Sequence, residues 1–312
     1  MKAIYQHLSP ASKIAVLTLT ALIGLLVFMI LSAVLVIPIF GSDAFSALTG
    51  GGVDVSSAKD VAVLKFFQLA QSIGLFVVPA LVVAYLFGGN IGKYLLLSRK
   101  PLLVSSLLAI AIIVFANPMI NQIGLWNAEM QLPAWLNGLE RWMQQKEEAA
   151  AHLTEIFVQV ETVPALLYNI LLIGIIPAIG EELLFRGVIQ KIFTQWTRNK
   201  HAAIWITAIL FSALHLQFYG FFPRAVLGAM FGYMLVWSGN LWLPVLAHFI
   251  NNTAAVIAYY LYHNGTLKID PDAIGTQGEY GIAAVFSLVF VVGMFVLFYR
   301  NEAKKSTIEQ IV

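Results

Sequence analysis

Long apolar segments constrain this chain more than any other feature of its sequence. A bilayer core about 30 Å thick needs roughly 20 apolar residues for each helix that spans it. Eight segments are candidates, and they cover residues 14–39, 61–87, 101–120, 163–193, 202–218, 224–237, 241–262 and 280–299. Only 11% of the 312 residues are charged, against about 25% in soluble domains. The sequence predicts an all-α, polytopic membrane helix bundle of about eight transmembrane helices, with residues 1–312 forming one integral-membrane domain.

The charged residues divide unevenly between the two sides that eight alternating spans would create. Eleven of the 18 basic residues fall on the side of the termini, where Glu302 and Glu309 are the acids outside the polar motif described below. Twelve of the 16 acidic residues fall on the other side. Because cytoplasmic loops carry the excess of Lys and Arg, both termini are predicted to be cytoplasmic. The scattered basic residues argue against a nucleic-acid partner, and the lack of cysteine excludes a thiolate nucleophile.

Two connections on the side away from the termini have distinct compositions. Residues 47–55 are rich in glycine and predict a flexible loop. Between 135 and 160, apolar residues recur at a spacing near that of a helix, opposite a strongly charged face; they are Trp135, Leu139, Trp142, Met143, Leu153, Phe157 and Val160. The pattern predicts an extracytoplasmic amphipathic helix that lies on the membrane or caps the bundle. A lid over a site is the alternative interpretation.

Three charged side chains, Glu181, Glu182 and Arg186, lie within one apolar segment. An ionisable side chain at membrane depth costs roughly 2.5–3.5 kcal/mol, so it usually has a partner or a function. Residues four apart share a helical face, whereas neighbours are rotated by about 100°. The spacing therefore predicts an ion pair between Glu182 and Arg186, with Glu181 left as the reactive carboxylate. The structural alternative is that all three reach water at the inner interface.

Two later apolar segments contribute further polar groups. His215 follows Phe211 by four positions, and His248 precedes Asn252 by four. The second spacing places an imidazole and a carboxamide on one helical face, as a paired set of donors requires. The remaining histidines fall in termini, loops or span ends and are assigned no role; they are His7, His152, His201 and His263.

These groups suit hydrolysis if the helices bring them to one cavity. Glu181 with His215 can take a proton from water, and His248 with Asn252 can donate hydrogen bonds to the oxyanion that forms when water attacks a carbonyl. The alternative is a zinc site in which Glu181, His215 and His248 are ligands and one position stays open for water. The residues themselves leave both chemistries open.

The ordered set Glu181-Glu182-x-x-x-Arg186, Phe211-x-x-x-His215 and His248-x-x-x-Asn252 resembles the CPBP family of intramembrane proteases. That family includes the CAAX prenyl endopeptidases and bacterial relatives linked to bacteriocin processing and self-immunity. The resemblance covers a catalytic core at about residues 163–262. It implies that Glu181 and His215 activate water while His248 and Asn252 stabilise the oxyanion. Glu182, Arg186 and Phe211 would give structural support.

The resemblance favours a mechanism without a cofactor, and a divalent metal such as zinc remains the alternative. It implies a membrane-associated peptide or protein substrate, and we expect the site to be reached from the cytoplasmic side or laterally. The expected location is the lipid bilayer of a bacterial cytoplasmic (inner) membrane. A non-catalytic binding or immunity factor with the same fold is a second hypothesis. A proton-coupled transporter, in which the Glu and His residues form a proton relay, is a third hypothesis, but no inverted repeat with paired broken helices supports it. Pro177 and Gly180 interrupt the fourth apolar segment, and such a break suits a hydrated catalytic pocket equally well.

Overall fold

The computed structural model describes residues 4–46, 57–274, 276 and 280–311, and this part of the chain is all-α. In chain order the helices are α1 Pro10–Phe40, α2 Ser42–Ser46, α3 Ala58–Gly88, α4 Ile91–Tyr94, α5 Leu103–Ala128, α6 Asn137–Val158, α7 Val163–Thr197, α8 Lys200–Ala213, α9 Phe221–Ser238, α10 Trp242–His263 and α11 Tyr280–Ile311. Short 3-10 turns lie at Ala134–Leu136, Phe218–Gly220 and Pro271–Ala273. The glycine-rich segment 47–55 lies outside the described residues.

Six helices of the described chain are long and apolar enough to cross a membrane: Pro10–Phe40, Ala58–Gly88, Leu103–Ala128, Val163–Thr197, Phe218–Ser238 and Ile282–Lys304. The predicted all-α membrane bundle is therefore confirmed, whereas the predicted count of eight spans is not. The apolar segment 202–218 becomes α8, which has only 14 residues and is about 21 Å long. The segment 241–262 becomes α10, which is 22 residues long and carries polar residues along its length.

Wide π-helical turns interrupt the regular winding of two long helices. They cover Ile73–Val77 in α3, and Ile170–Ile175 and Glu182–Ile189 in α7. The first two come directly before the α-helical segments that contain Pro79 and Pro177. Proline removes one backbone donor and clashes with the preceding turn of an α-helix, and a wider turn relieves that conflict. Helix α7 is thus continuous through Pro177 and Gly180, where the sequence predicts an interruption.

Each end of the bundle has its own hydrogen bonds between connecting segments and helices. At the terminal end, which holds the start of α1 and residues 89–102, the backbone N–H of Leu241 donates to the carbonyl of Leu96 at 3.1 Å. At the opposite end, which holds residues 129–162, 214–220 and 264–274, Asn127 donates to the carbonyl of Phe218 at 2.9 Å. Asn121 donates there to the carbonyl of Ile274 at 2.9 Å. Each end is therefore a defined set of packed connections.

The predicted amphipathic helix 135–160 is observed as α6, and it caps the opposite end of the bundle. Its last turn is fixed by the carbonyl of Phe157, which accepts from Lys65 Nζ at 3.0 Å and from Asn169 Nδ2 at 2.6 Å. Its middle contacts the 214–220 connection, where the rings of Trp142 and Phe218 lie 5.4 Å apart. These contacts hold α6 against the helices that it covers.

Two apolar cores lie on either side of α7 and α10. One joins α3 to α7 and includes Val83, Phe87 and Phe185. The other joins α5, α9 and α11 and includes Phe231 and Phe298. Packed interiors of this kind hold helices in fixed positions, so polar side chains on α7, α9 and α10 can meet between the cores.

Candidate active site

A cavity of about 630 Å³ between α5, α7, α9 and α10 contains all four predicted catalytic residues. Glu181 comes from α7, His248 and Asn252 come from α10, and His215 comes from the turn after α8. Three segments that are far apart in the sequence therefore meet at one volume. Ring and aliphatic groups of Phe211, Phe231 and Ile173 are also part of the wall.

Directly beside the cavity, Glu182 and Arg186 form the predicted ion pair, at 2.7 Å, and both side chains are completely buried. The same carboxylate oxygen of Glu182 also accepts a hydrogen bond from His248 Nδ1 at 2.9 Å. Charged groups in an apolar interior are tolerated when they are paired and hydrogen-bonded. We call this set of Glu182, Arg186 and the Nδ1 side of His248 the ion cluster.

Arg186 is held on several sides. One of its terminal nitrogens donates to the carbonyl of Gly228 at 3.0 Å. Its guanidinium also lies over the rings of Phe211 and Phe231, at 4.6 and 5.4 Å from the ring centres. Gly228 permits this approach, because a Cβ atom there would lie only 3.2 Å from the guanidinium. The ion cluster thus ties α7 to α9 and α10.

His248 connects the ion cluster to the cavity. Its ring stacks on Phe231 at 5.2 Å between centres. Because Nδ1 is bonded to Glu182, the other nitrogen, Nε2, faces Glu181 across 3.9 Å. That gap is too long for a hydrogen bond. Sequence spacing did not indicate the contact between Glu182 and His248, which are 66 positions apart.

Glu181 points away from Glu182, as the helical spacing predicts. Its side chain is 13% exposed, whereas that of Glu182 is fully buried. Both the exposure and the position on the cavity wall leave the Glu181 carboxylate accessible to a small molecule in the cavity.

His215 lies outside a helix, contrary to the prediction that it belongs to a span at 202–218. Helix α8 ends at Ala213, and Leu216 adopts a left-handed backbone conformation with φ of 54°. His215 is exposed at this turn. Its Nδ1–H donates a hydrogen bond to the carbonyl of Phe211 at 2.7 Å, so Nε2 is left as the proton acceptor of a neutral ring. The turn frees His215 to face the cavity.

Asn252 uses part of its amide to bind the backbone. Its Nδ2 donates to the carbonyl of Ile173 at 3.0 Å, within the first wide turn of α7. Its oxygen accepts from Asn251 at 3.2 Å. A carboxamide nitrogen has two N–H donors, so one of them is available to a ligand.

The cavity wall includes further polar residues that belong to none of the sequence motifs. They are Asn117, Asn121, Gln217, Arg224, Asn251, Tyr259 and Asp272. Arg224 is the first residue of the apolar segment 224–237, and an arginine at the edge of a short apolar segment is itself a signal of function. The other polar residues of the cavity wall show no sequence spacing that would predict a site.

The cavity extends toward the opposite end of the bundle. Residues of α6 and of both connections at that end form part of its wall, including Thr154, Gly220 and Pro271. The connections at the terminal end contribute none of the wall residues described. The sequence predicts access from the cytoplasmic side or laterally, whereas the wall of this cavity extends from the middle of α7 and the first half of α10 toward the opposite end.

A metal site needs three or four ligands converging on one point. In the described part of the chain, no three His, Asp or Glu side chains are grouped so that they could hold a metal ion. The alternative ligand set of Glu181, His215 and His248 therefore does not have the required arrangement in this structure.

Residues 163–254 match the Rce1-like family, described as type II CAAX prenyl endopeptidase Rce1-like. This agrees with the resemblance stated from the sequence motifs, and the matched region contains every predicted catalytic residue. The chain is 33% identical over 86 residues to the uncharacterized protein YpbD of Bacillus subtilis, covering 26% of this chain and 41% of that protein. It is 31% identical over 115 residues to an uncharacterized 24.3 kDa protein of Escherichia coli, covering 35% and 52%. The chain thus spans about half the length of these relatives or less, and no solved structure gives a significant match.

Proposed function

We propose that this integral membrane protein, whose residues 163–254 match the Rce1-like family, is an intramembrane endopeptidase. The observation that carries the proposal is the shared cavity of Glu181, His215, His248 and Asn252 beside a buried Glu182–Arg186 pair. A carboxylate and an imidazole with accessible acceptor atoms can activate water, and nearby donors can stabilise an oxyanion.

In the proposed reaction, water lies between Glu181 and His215 in the cavity. Glu181 takes a proton from the water as its oxygen attacks the carbonyl carbon of a peptide bond. The carbonyl oxygen becomes an oxyanion that accepts hydrogen bonds from His248 Nε2–H and from the remaining N–H of Asn252. The C–N bond then breaks, and the proton held by Glu181 passes to the leaving amine. The products are a carboxylic acid and an amine.

Glu182 supports the proposed role of His248. Nδ1 donates to the Glu182 carboxylate at 2.9 Å, and this bond orients the ring so that Nε2 faces the cavity. A ring that carries a proton on both nitrogens can donate from Nε2 while Nδ1 remains bonded to Glu182. The ion cluster would then act in catalysis by orienting a donor, besides holding the helices together.

The charge distribution supports an orientation with both termini cytoplasmic in a bacterial cytoplasmic membrane. In that orientation the opposite end of the bundle, toward which the cavity extends, is extracytoplasmic. We therefore expect a membrane-associated peptide or protein substrate to enter from that side or laterally from the bilayer.

A peptide library tests the proposed function. Wild-type protein and the variants Glu181→Ala, His215→Ala and His248→Ala are incubated with the library, with and without a strong chelator, and products are identified by mass spectrometry. We expect each variant to lose about 10²- to 10⁴-fold in turnover. His201→Ala is the matched control, because His201 bonds Tyr233 away from the cavity and should leave turnover unchanged.

Wild-type turnover by Glu181→Ala would exclude the proposed mechanism. Complementation of a deletion strain by that variant would support a binding or immunity function instead, and proton flux dependent on Glu181 in proteoliposomes would support a transporter. Loss of wild-type cleavage in the chelator, restored by zinc, would support the metal alternative.

A further inference from the structure

Arg224 is a second arginine at the candidate site, and the proposed reaction does not use it. It lies near the start of α9 and forms part of the wall of the cavity that contains Glu181 and His215. Its two terminal nitrogens contact Gln217, one donating to the side-chain oxygen at 2.7 Å and the other to the backbone carbonyl at 3.4 Å. The guanidinium is therefore held in place by a neutral residue.

In the described part of the chain, no carboxylate lies within 4 Å of Arg224. Glu147 and Glu181 are the acids close enough to influence it, and both act on it only over a longer distance. Glu147 is instead bonded to the backbone N–H of Tyr219 at 3.1 Å. Arg186, by contrast, is fully buried against its own carboxylate partner. The two arginines of the site thus differ in what balances their charge.

A positive charge at membrane depth is normally balanced by a partner or by a ligand. The planar guanidinium carries five N–H donors and matches the two oxygens of a carboxylate. Two of its nitrogens are engaged with Gln217, which fixes its orientation and leaves other donors for a group in the cavity. Such charge-assisted pairs are among the strongest polar contacts in proteins.

We propose that Arg224 binds a carboxylate of the substrate and so selects where the chain is cut. The proposal rests on the endopeptidase function above and names its substrate class: peptides with a carboxylate close to the scissile bond. That carboxylate is either the C-terminus of the peptide or the side chain of an Asp or Glu. Arg224 is thus a specificity-determining residue, and the water-activating groups remain Glu181 and His215.

The test uses one set of octapeptides in three forms. The first form has a free C-terminus and no Asp or Glu, the second is its C-terminal amide, and the third is the amide with one Asp or Glu. Cleavage is measured with wild-type protein, Arg224→Gln and Arg224→Lys. Binding is measured separately, as retention of each form on immobilised Glu181→Gln and on the double variant Glu181→Gln/Arg224→Gln, so that this readout does not depend on hydrolysis.

We expect wild-type protein to prefer one carboxylate form over the plain amide by about 10- to 100-fold in kcat/KM. Arg224→Gln should lose that preference and cleave the three forms with similar kcat/KM, and Arg224→Lys should keep part of the preference. Retention on the immobilised variants should show the same dependence on the carboxylate of the peptide and on Arg224. Arg141→Gln is the matched control, since Arg141 is an exposed arginine of α6 that contacts its own helix and should leave the preference unchanged.

The preferred form identifies the source of the carboxylate. Cleavage without any preference among the three forms, or a preference that survives Arg224→Gln, would overturn the role of Arg224 and leave the endopeptidase function standing. If carboxylate peptides were retained in a way that depends on Arg224 but were not cleaved, the result would support carboxylate binding by Arg224 and contradict the endopeptidase function. Absence of both cleavage and retention would contradict both proposals.

Discussion

Two carboxylates one position apart in α7 lie in opposite environments. Glu182 belongs to the ion cluster, where it is fully buried and accepts from Arg186 and His248. Glu181 belongs to the cavity wall, which also includes His215 and Arg224 and keeps polar atoms directed at an open volume. The comparison shows that this bundle uses buried charge in two ways. Charged groups that are paired with one another fix the helices, and polar groups that face the cavity remain available to a ligand.

The largest effect on stability should come from breaking the ion cluster. Glu182→Ala leaves the buried Arg186 guanidinium without its ion-pair partner, and such a loss costs about 3–5 kcal/mol. We expect a clear fall in the Tm of the detergent-solubilised protein and in its resistance to unfolding in SDS. Glu181→Ala is the matched control one residue away, and it should leave the Tm almost unchanged because its carboxylate faces the cavity. Equal losses of stability in the two variants would show that the two environments do not differ as described.

A milder substitution separates the catalytic contribution of Glu182 from its structural one. Glu182→Gln keeps an acceptor oxygen for Arg186 and His248 and therefore keeps most of the fold. It removes the negative charge beside His248 Nδ1, and hydrogen bonds to charged groups contribute about 1.5–3 kcal/mol. We expect turnover of the cleaved library peptide to fall by about 10- to 100-fold, with a smaller loss of Tm than in Glu182→Ala because the hydrogen bonds are kept while the charge that balances Arg186 is lost.

Glu148→Gln provides the comparison for that measurement, because Glu148 is exposed on α6. Its turnover should match that of the wild type. If Glu182→Gln also had wild-type turnover, the role of Glu182 would be structural only. The contact from the ion cluster to the cavity through His248 would then make no contribution to catalysis.

The sequence predicts one side of this comparison better than the other. Contacts within a helix follow from spacing, so the pair of Glu182 with Arg186 and the separate direction of Glu181 could be inferred from positions 181, 182 and 186. Contacts between helices depend on how distant segments pack. The bond from Glu182 to His248 and the bond from Asn252 to the carbonyl of Ile173 therefore had no signal in the sequence.

The same distinction explains which parts of the fold were predicted. Apolar length indicated the long helices, since it follows directly from bilayer thickness. It did not indicate where α8 ends, because the turn at 214–216 is stabilised by local backbone bonds in a stretch that remains apolar. Apolar length also leaves the count of eight spans unconfirmed, since α8 has only 14 residues and α10 carries polar residues along its length.

The smallest predicted effect concerns Phe211, which lies between the ion cluster and the cavity. Its ring contacts the Arg186 guanidinium at 4.6 Å and the ring of His215 at 4.8 Å, while its backbone carbonyl accepts from His215. Phe211→Leu removes the ring contacts and keeps the carbonyl, so we expect a loss of stability of about 1–2 kcal/mol. His215 should stay oriented, and turnover should fall only about threefold to tenfold.

Phe115→Leu is the matched control for the Phe211 substitution. Phe115 pairs with Phe290 at 4.4 Å between ring centres, on a half-exposed face of α5 away from the site. That variant should lose some stability through the lost ring pair without any change in turnover. If Phe211→Leu instead reduced turnover as strongly as His215→Ala, the ring and not the backbone carbonyl would hold His215. The Phe211 ring would then belong with His215 to the cavity wall, and the boundary of the ion cluster would lie between Phe211 and Arg186.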